Sequence, residues 1–255
     1  VQEVEACWSE PQYQSHKEAG ALVDGIRAAA FSMVSAALAR GETLTEWAVQ
    51  GFIRDRFRQA GLFTDHGPIV AVNANASNPH YEPSADRHSP IQPGDLLLID
   101  LWAKCNRPGA VYYDITWTGY CGAEPPQQML NVFAAVAGAR DAAVNLVQRR
   151  AAAGEPLAGY EVDDAARGHL ASLGLAESFF HRTGHSIGEE VHGNGANMDN
   201  FETHDVRPIV PGLCFSIEPG VYLPGFGIRS EVNVFRHAMS AEVTGERQVS
   251  LLRLS

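Results

Sequence analysis

This 255-residue chain repeats part of itself, and the repeat restricts the folds that are open to it. The segment IQPGDLLLID ends at Asp100, and the similar segment IVPGLCFSIE ends at Glu218. A step of 118 residues leads from Gly94 to Gly212 and also from Asp100 to Glu218. Chance is the alternative, because Pro-Gly turns are common. We interpret the repeat as two similar halves related by a pseudo-twofold axis.

Each half reads as two helices followed by strands. Residues 15–40 have apolar residues near helical spacing, and a second helix begins near residue 44, where Thr43 and Glu46 fit a capping box. The pattern restarts with a long helix that has prolines at its start and a shorter helix that ends in glycine. We therefore predict a single α+β domain over residues 1–255, with one α-α-β-β half over about 1–122 and the other over about 123–255.

Four acids lie in the strand-like segments, where a lone buried carboxylate costs about several kcal/mol unless it is paired, neutralised or bound to a metal. Asp100 and Asp114 are equidistant from Arg107, and Glu218 and Glu231 are equidistant from the Pro-Gly turn at residues 224–225. Antiparallel pairing about these centres predicts that each hairpin places its two acids opposite each other on one face.

A pseudo-twofold axis would bring the two pairs of acids together, and like charges at one buried place need a counter-charge. Divalent cations with oxygen ligands meet this need, and four carboxylates with one histidine suit two ions better than one. Two alternatives stay open at this point: acids exposed on a solvated face, and acids paired with arginines such as Arg229.

Three of the ten histidines lie in the glycine-rich segment FFHRTGHSIGEEVHGNG at residues 179–195. Gly184 and Gly188 argue against a helix there and favour a strand with a tight loop. One imidazole could complete a metal site and the others could donate hydrogen bonds to a substrate, although a structural or surface role is the alternative for each. The candidates are His181, His185 and His192, with His80 from the other half.

The net charge of −11 makes nucleic acid and anionic membrane surfaces poor partners for this chain. No apolar run approaches the roughly 18 residues of a membrane helix, and no signal segment opens the chain. The four cysteines are scattered, which together with the missing signal segment predicts a cytoplasmic location. The first residue is Val1 rather than Met, so we expect a piece of a longer protein.

Five motifs together resemble the metallopeptidases of the pita-bread fold, which include methionine aminopeptidases, Xaa-Pro aminopeptidases and prolidases, with creatinase as a non-metal relative. The motifs are LIDLW with Asp100, YYDIT with Asp114, TGHSIG with His185, SIEPG with Glu218 and IRSEV with Glu231. The resemblance covers essentially the whole chain as one catalytic domain, and it implies that the two halves surround a curved antiparallel sheet. The form IEPGVY…GIRSE is more similar to the Xaa-Pro branch than to the methionine branch.

The resemblance also implies roles for individual residues. Asp114 and Glu231 would bridge two divalent ions, Asp100 would complete one ion, and His185 with Glu218 would complete the other. Further roles are implied for six residues: Glu218 as proton shuttle, His80, His181 and His192 as substrate contacts, and Tyr222 and Arg229 as supports.

The activity implied is that of a dinuclear-metal hydrolase that removes the N-terminal residue of short peptides with proline in the second position. Oxygen ligands with one imidazole favour manganese, with cobalt, iron and zinc as alternatives. Three other functions stay open: a methionine aminopeptidase, a non-peptidase metal-dependent enzyme, and a ligand- or protein-binding module on the same fold.

The sequence departs from the family pattern in three ways. Ser186 stands where the family commonly has glycine, and the acids of the first hairpin are 14 residues apart, which is longer than usual. The N-terminal domain of the Xaa-Pro branch is expected to be missing from this chain, which leaves a homodimer and the substrate length open.

Overall fold

The structure is a computed structural model that describes residues 5–255. Four α-helices lie wholly within this range: Glu10–Ala39 (α1), Glu46–Gln59 (α2), Gln127–Ala153 (α3) and Gly159–Ser172 (α4). The described strands are Leu44–Thr45 (β1), Leu62–Phe63 (β2), Ile69–Val72 (β3), Pro90–Ile91 (β4), Leu96–Cys105 (β5), Tyr113–Tyr120 (β6), Ser186–Ile187 (β7), Cys214–Ile217 (β8), Gly220–Leu223 (β9), Phe226–Arg229 (β10), Val232–Arg236 (β11), Ala241–Val243 (β12) and Leu252–Arg253 (β13). Two short 3₁₀ turns, Asn73–Ser77 and Ala176–Ser178, complete the described elements.

Two main sheets carry the strands that matter for the site, and the sheet of the first half also contains β13 from the end of the chain. The first has the order β13-β6-β5-β2, with β3 also paired to β5, and the second has the order β12-β11-β8-β7. The hairpin β9–β10 extends from the second sheet. Among the described strands, only β13 and β6 pair in parallel, so the predicted antiparallel arrangement holds elsewhere.

The two Pro-Gly turns show the duplication in backbone detail. Gly94 and Gly212 have φ values of 94° and 95°, a region that side chains other than glycine rarely adopt. The Gly94 N–H donates to the Cys121 carbonyl at 2.7 Å, and the Gly212 N–H donates to the Arg236 carbonyl at 2.7 Å. Each turn therefore closes its own sheet in the same way, which confirms the predicted pseudo-twofold relation.

The apolar core is divided in the same manner. One cluster of buried residues runs from Ala19 to Cys121 with Leu254 added, and the other runs from Val132 to Leu251 with Leu96 added. The division falls near residue 122, where the boundary between the halves is proposed.

The two halves meet where β6 contacts β11. The Asn233 side chain accepts from the Asp114 N–H at 3.0 Å and donates to the Asp114 carbonyl at 2.6 Å. The Glu231 N–H donates to the Thr116 carbonyl at 3.1 Å. We call this contact between β6 and β11 the seam. The Asn233 side-chain amide makes hydrogen bonds there that backbone groups make between paired strands.

Two helix starts differ from the sequence expectation. Helix α1 begins at Glu10 rather than residue 15, behind the N-cap Ser9. The predicted capping box of Thr43 and Glu46 is wrong, because Thr45 is the N-cap of α2 and its hydroxyl accepts from the Ala48 N–H at 3.1 Å. Glu46 is instead fully buried in the protein.

Helices α1 and α3 are long and apolar enough, by length and composition, to cross a membrane, although no apolar run of that length was expected from the sequence. Two such helices are weak evidence for a membrane span, because core helices of soluble proteins can have the same length and composition. Here α1 packs on β5 and β6, and α3 packs on α4.

The packing of the 3₁₀ turn Asn73–Ser77 on β10 yields a stability prediction. A Cβ atom at Gly227 would lie 2.0 Å from the Ala76 carbonyl oxygen, whereas a Cβ at Gly225, in the adjacent turn, would meet nothing within 4 Å. Gly227→Ala should lower the free energy of unfolding by about 1–3 kcal/mol. Gly225→Ala should change it by less than about 0.5 kcal/mol. Equal denaturant midpoints for the two variants would contradict this packing.

Candidate metal centre

The first hairpin holds Asp100 and Asp114 on one face, but not in the predicted register. Asp100 pairs with Thr116 and Asp114 pairs with Trp102, so the expected direct opposition of the two acids is wrong by two residues. Because side chains alternate with a period of two, the shift leaves both carboxylates on the same face, in diagonal positions.

The second hairpin has the predicted register. Both strand pairs, β9–β10 and β8–β11, are centred on the turn between residues 224 and 225. Glu218 and Glu231 lie at the interruption between these pairs, where their N–H groups bond to other elements. The Glu218 N–H donates to the Thr183 carbonyl at 2.7 Å, and the Glu231 N–H donates to β6. The break in the ladder therefore turns both acids toward the seam.

His185 lies between the acids of the two halves. Its Nε2 is 3.5 Å from Asp114 Oδ2 and 3.4 Å from Glu218 Oε1. Its Nδ1 is 3.0 Å from the Ser186 carbonyl, which can only accept, so the neutral ring carries its proton on Nδ1 and turns the Nε2 lone pair toward the carboxylates. One ligand atom each of Asp114, His185 and Glu231 lie within 4.8 Å of one another, and all three residues are buried.

Three carboxylate oxygens of this cluster are buried and accept no hydrogen bond from the described residues: Asp100 Oδ1, Asp114 Oδ1 and Glu231 Oε1. A buried acceptor without a partner costs about 1–3 kcal/mol, and more when it is charged. Arg229 donates to the other oxygen of Asp100 at 2.5 Å, and its Nε lies 3.9 Å from Glu218 Oε2. The alternative in which arginine pairs with the acids therefore applies to these two oxygens and not to the three that lack a partner among the described residues. Oxygen donors with one imidazole form a set that fits divalent cations.

The charges of the cluster shift the pKa values of its members in opposite directions. Burial raises the pKa of Asp100 to about 7, although the Arg229 guanidinium opposes the shift. Burial, reinforced by the charge of Asp114, raises the pKa of Glu231 well above its usual range, and burial also raises the pKa of Asp114. Burial opposes the ionisation of Glu218, but the charges of His185, His181 and Arg229 outweigh it and lower the pKa of that carboxyl.

Arg229 connects the acids to the histidine segment. Its guanidinium donates to Asp100, to the Thr116 hydroxyl at 3.1 Å and to the Tyr222 hydroxyl at 3.1 Å. Tyr222 in turn lies 2.7 Å from His181 Nε2, while His181 Nδ1 is held by the Arg182 carbonyl at 2.7 Å. Tyr222 and Arg229 are therefore in contact with predicted site residues, and both ring nitrogens of His181 are already engaged.

A cavity of about 590 Å³ opens over the cluster. Its lining includes the five predicted ligands, Asp100, Asp114, His185, Glu218 and Glu231, the histidines His80, His181 and His192, and Arg229. Tyr222 lies behind this lining. The site residues proposed from the sequence are thus brought together, while their individual roles stay predictions.

Two histidines of the lining, His181 and His192, are neutral at pH 7. Burial lowers the pKa of His181 to about 4, and burial together with neighbouring His185 lowers the pKa of His192 to about 4. The His192 ring packs edge-on to the His185 ring, with centroids 4.3 Å apart. No residue in the described part of the chain bonds a ring nitrogen of His192, so one N–H is free for a ligand in the cavity.

Sequence reasoning missed two hydroxyl groups of the site. The Thr116 hydroxyl donates to Glu231 at 2.8 Å, and the Ser216 hydroxyl donates to Glu218 at 3.0 Å. Thr116 lies two residues after Asp114 and Ser216 lies two residues before Glu218. The two-residue period of a strand could have indicated both, since it places them on the faces that carry the acids.

Comparison with known proteins gives consistent results. The model of metallopeptidase family M24 matches residues 14–236. An Xaa-Pro dipeptidase of Lactobacillus delbrueckii is 34% identical over 205 residues, which cover 79% of this chain and 50% of that protein. A probable dipeptidase PepE of Mycobacterium tuberculosis is 31% identical over 223 residues, 87% of this chain and 54% of that protein.

Solved structures show the same architecture. The dipeptidase PepE of Mycobacterium ulcerans superposes with a TM-score of 0.83 at 30% identity, covering 99% of this chain and 62% of that one. An X-Pro aminopeptidase of Thermotoga maritima has a TM-score of 0.84 at 24% identity, covering 99% and 66%, and this likeness concerns the fold alone.

The fold is that of the pita-bread metallopeptidases. The chain belongs to metallopeptidase family M24. It spans about half the length of the curated relatives that it matches.

The raised carboxyl pKa values predict how cation binding depends on pH. Protons on Asp100, Asp114 and Glu231 compete with a cation below the raised pKa values, so the affinity of the metal-free protein for Mn²⁺ should rise as the pH increases through about 7. Binding near pH 6.5 should also release protons. Calorimetry in buffers of different ionisation enthalpy measures both effects, and an affinity that is constant from pH 5.5 to 8 would contradict the protonated cluster.

Proposed function

We propose that this chain is the catalytic domain of a metal-dependent peptidase that removes the N-terminal residue of short peptides with proline in the second position. The observation that carries the proposal is the set of three buried carboxylate oxygens that have no hydrogen-bond partner among the described residues, beside His185 and Glu218 in one cavity. Relatives at 31–34% identity that are named Xaa-Pro dipeptidase or probable dipeptidase support the substrate class. They do not favour the methionine-aminopeptidase alternative.

The proposed ligands are the five residues predicted from the sequence: Asp100, Asp114, His185, Glu218 and Glu231. Two divalent cations bound there would activate a water molecule and polarise the scissile carbonyl group. The donor set favours manganese, with cobalt, iron or zinc as alternatives. Asp114 and Glu231 each have one oxygen without a partner among residues 5–255, and they are the proposed ligands that the two ions would share.

Glu218 is the proposed proton acceptor. Its lowered pKa keeps the carboxyl ionised at neutral pH, and the Ser216 hydroxyl fixes one of its oxygens. A base of this kind accepts a proton from the attacking water and returns it to the leaving amine.

His192 and His80 are the proposed hydrogen-bond donors to the substrate. The neutral His192 ring has an N–H that no described residue uses, and it lies beside His185. Donors that face the position where charge develops in the transition state lower the barrier. We propose that His181 contacts the substrate without giving up its present hydrogen bonds. A hydrogen bond from its ring to the substrate would have to replace its bond to Tyr222 or to Arg182.

A proline ring needs an apolar wall, and the lining of the cavity offers one. Ile69, Trp102 and Val191 are the apolar side chains concerned. Trp102 and Val191 belong to one buried cluster against which Ile69 packs, so the wall is braced from behind. We assign the proline subsite to this wall.

A cytoplasmic location is also proposed, on the sequence features alone.

The function is tested with the Mn²⁺-loaded chain and a panel of a Met-Ala peptide, an Xaa-Pro dipeptide and a longer Xaa-Pro peptide. We expect cleavage of Xaa-Pro substrates, and we expect Glu231→Ala to abolish it and to lower the bound metal.

The same variant is tested by stability. Mn²⁺ at 100 times Kd should stabilise the unmodified chain by about 2.7 kcal/mol and stabilise Glu231→Ala much less. Glu155→Ala, at an exposed acid that pairs with Arg150, is the control. Full activity of Glu231→Ala would remove the second hairpin from the site, and cleavage of the Met-Ala peptide alone would reject the proline specificity.

His192→Ala separates three roles for this histidine. As a donor to the developing oxyanion it should lower kcat by about 10²–10³ while bound metal stays unchanged. A ligand role predicts metal loss, and a surface role predicts no kinetic effect. The control is His204→Ala, at an exposed histidine that bonds Asn200. Measurement of kcat and metal on one preparation distinguishes these outcomes, and an unchanged kcat would exclude His192 from the mechanism.

A further inference from the structure

A second kind of buried carboxylate lies outside the metal cluster. Glu46, the first residue of α2, is fully buried, and its carboxylate accepts four hydrogen bonds, all from residues 72–89. Oε1 accepts from the Val72 N–H at 2.7 Å and from the Asn75 amide at 2.9 Å. Oε2 accepts from the Tyr81 hydroxyl at 2.5 Å and from the Ser89 N–H at 2.7 Å. No described cation lies within ion-pair distance of Glu46, so these hydrogen bonds alone stabilise its charge.

The segment that Glu46 holds reaches the cavity. Pro79, His80 and Glu82 are among the lining residues, and His80 directly precedes Tyr81. The position of the His80 backbone therefore follows from the bond between Tyr81 and Glu46. Among residues 5–122, no other buried side chain makes as many hydrogen bonds to this segment.

The other side of the segment rests on the second half of the molecule. The Ala76 carbonyl lies against Gly227, and the Ser77 hydroxyl donates to the Leu223 carbonyl. The segment is thus fixed from α2 on one side and from the hairpin β9–β10 on the other. That hairpin also carries Arg229, which contacts Asp100.

A similar anchor exists in the second half. Asp163 on α4 is fully buried and accepts from the Thr183 N–H at 2.9 Å, the Thr183 hydroxyl at 2.6 Å and the Asn200 N–H at 3.1 Å. These donors bracket the segment that contains His185 and His192. Asp163 lies 117 residues after Glu46 (163 − 46), the same step that separates Asp114 from Glu231 (231 − 114).

We propose that Glu46 is a positioning residue that holds His80 at the cavity, as the counterpart of Asp163 for the histidine segment of the second half. The inference rests on the proposed function only where it assigns His80 a contact with substrate. Glu46→Gln tests it with little change of shape, because one acceptor oxygen becomes an amino group that faces two donors whichever way the amide turns.

The first measurement does not depend on activity. Hydrogen exchange of the amides in residues 72–91 should become faster in Glu46→Gln than in the unmodified chain, while exchange around α4 stays unchanged. The control is Asp55→Asn, at an exposed acid on the same helix that pairs with Arg58. Unchanged exchange in residues 72–91 would overturn the proposed anchor.

The second measurement is a double-mutant cycle with His80→Ala on an Xaa-Pro dipeptide. Glu46→Gln alone should lower kcat/KM by about 10–100-fold, because displacement of a group by about 1 Å costs up to roughly that factor, and bound metal should stay unchanged. In the His80→Ala background the same substitution should change kcat/KM by less than about threefold. An equal loss in both backgrounds, or a loss of metal, would reject the positioning role.

Two outcomes keep this inference separate from the proposed function. If the unmodified chain cleaves no peptide of the panel, the proposed function fails, while faster exchange in residues 72–91 still supports the anchor. If Glu46→Gln does not fold, Tyr81→Phe removes one donor and leaves the carboxylate in place. Tyr81→Phe should then accelerate exchange in the same segment and lower kcat/KM by roughly three- to tenfold. The absence of both effects in Tyr81→Phe would overturn the proposal.

Discussion

The repulsion between carboxylates that are buried at one place is the constraint to which the rest of the structure responds. Asp100 and Asp114 come from the first half, and Glu218 and Glu231 come from the second. The packing of the two halves therefore brings the four carboxylates close together. Burial raises the pKa of Asp100 and of Glu231, and the charges of neighbouring carboxylates raise both further, so ionisation of these groups carries a free-energy cost. A bound cation would remove it, because ligands that bind the folded state stabilise that state. Metal binding and the association of the two halves are therefore expected to be energetically linked.

Arg229 offsets part of the repulsion and explains how the site stays ordered. Its planar guanidinium donates in three directions, to Asp100, Thr116 and Tyr222. A lysine would supply the charge without the fixed fork that these partners require. Since Thr116 continues to Glu231 and Tyr222 continues to His181, one cation connects the acids of both hairpins with the histidine segment. Its position is thus part of the geometry of the proposed catalytic groups.

The four acids of the candidate site could be predicted because an acid in an apolar strand and a Pro-Gly turn are local signals, and the duplication showed which acids correspond. The register of the second hairpin followed from its tight turn. The register of the first hairpin could not be predicted from its turn, because residues 106–112 do not pair across the hairpin. The Tyr112 N–H donates to the Gly188 carbonyl, and the Tyr112 carbonyl bonds to His16. Glu46 was placed at a helix cap because its partners, such as Tyr81, lie far along the chain and no local pattern reveals them.

The two halves have kept their acids in corresponding places and have diverged in how they hold the histidines. Asp163 is neutralised by Arg167, whose guanidinium also donates to the His181 carbonyl at 2.9 Å. Glu46 has only neutral donors, and its segment supplies a single histidine to the cavity. A buried charge that is stabilised by four neutral donors depends on all of them at once. Loss of any one donor leaves more of the desolvation cost of the carboxylate without compensation. The first-half segment should therefore move as one cooperative unit, whereas the second-half segment keeps its ion pair even when one hydrogen bond is lost. The cavity thus has one wall with an ion-pair anchor, which carries the proposed imidazole ligand, and one wall whose position depends on the hydrogen bonds of Glu46.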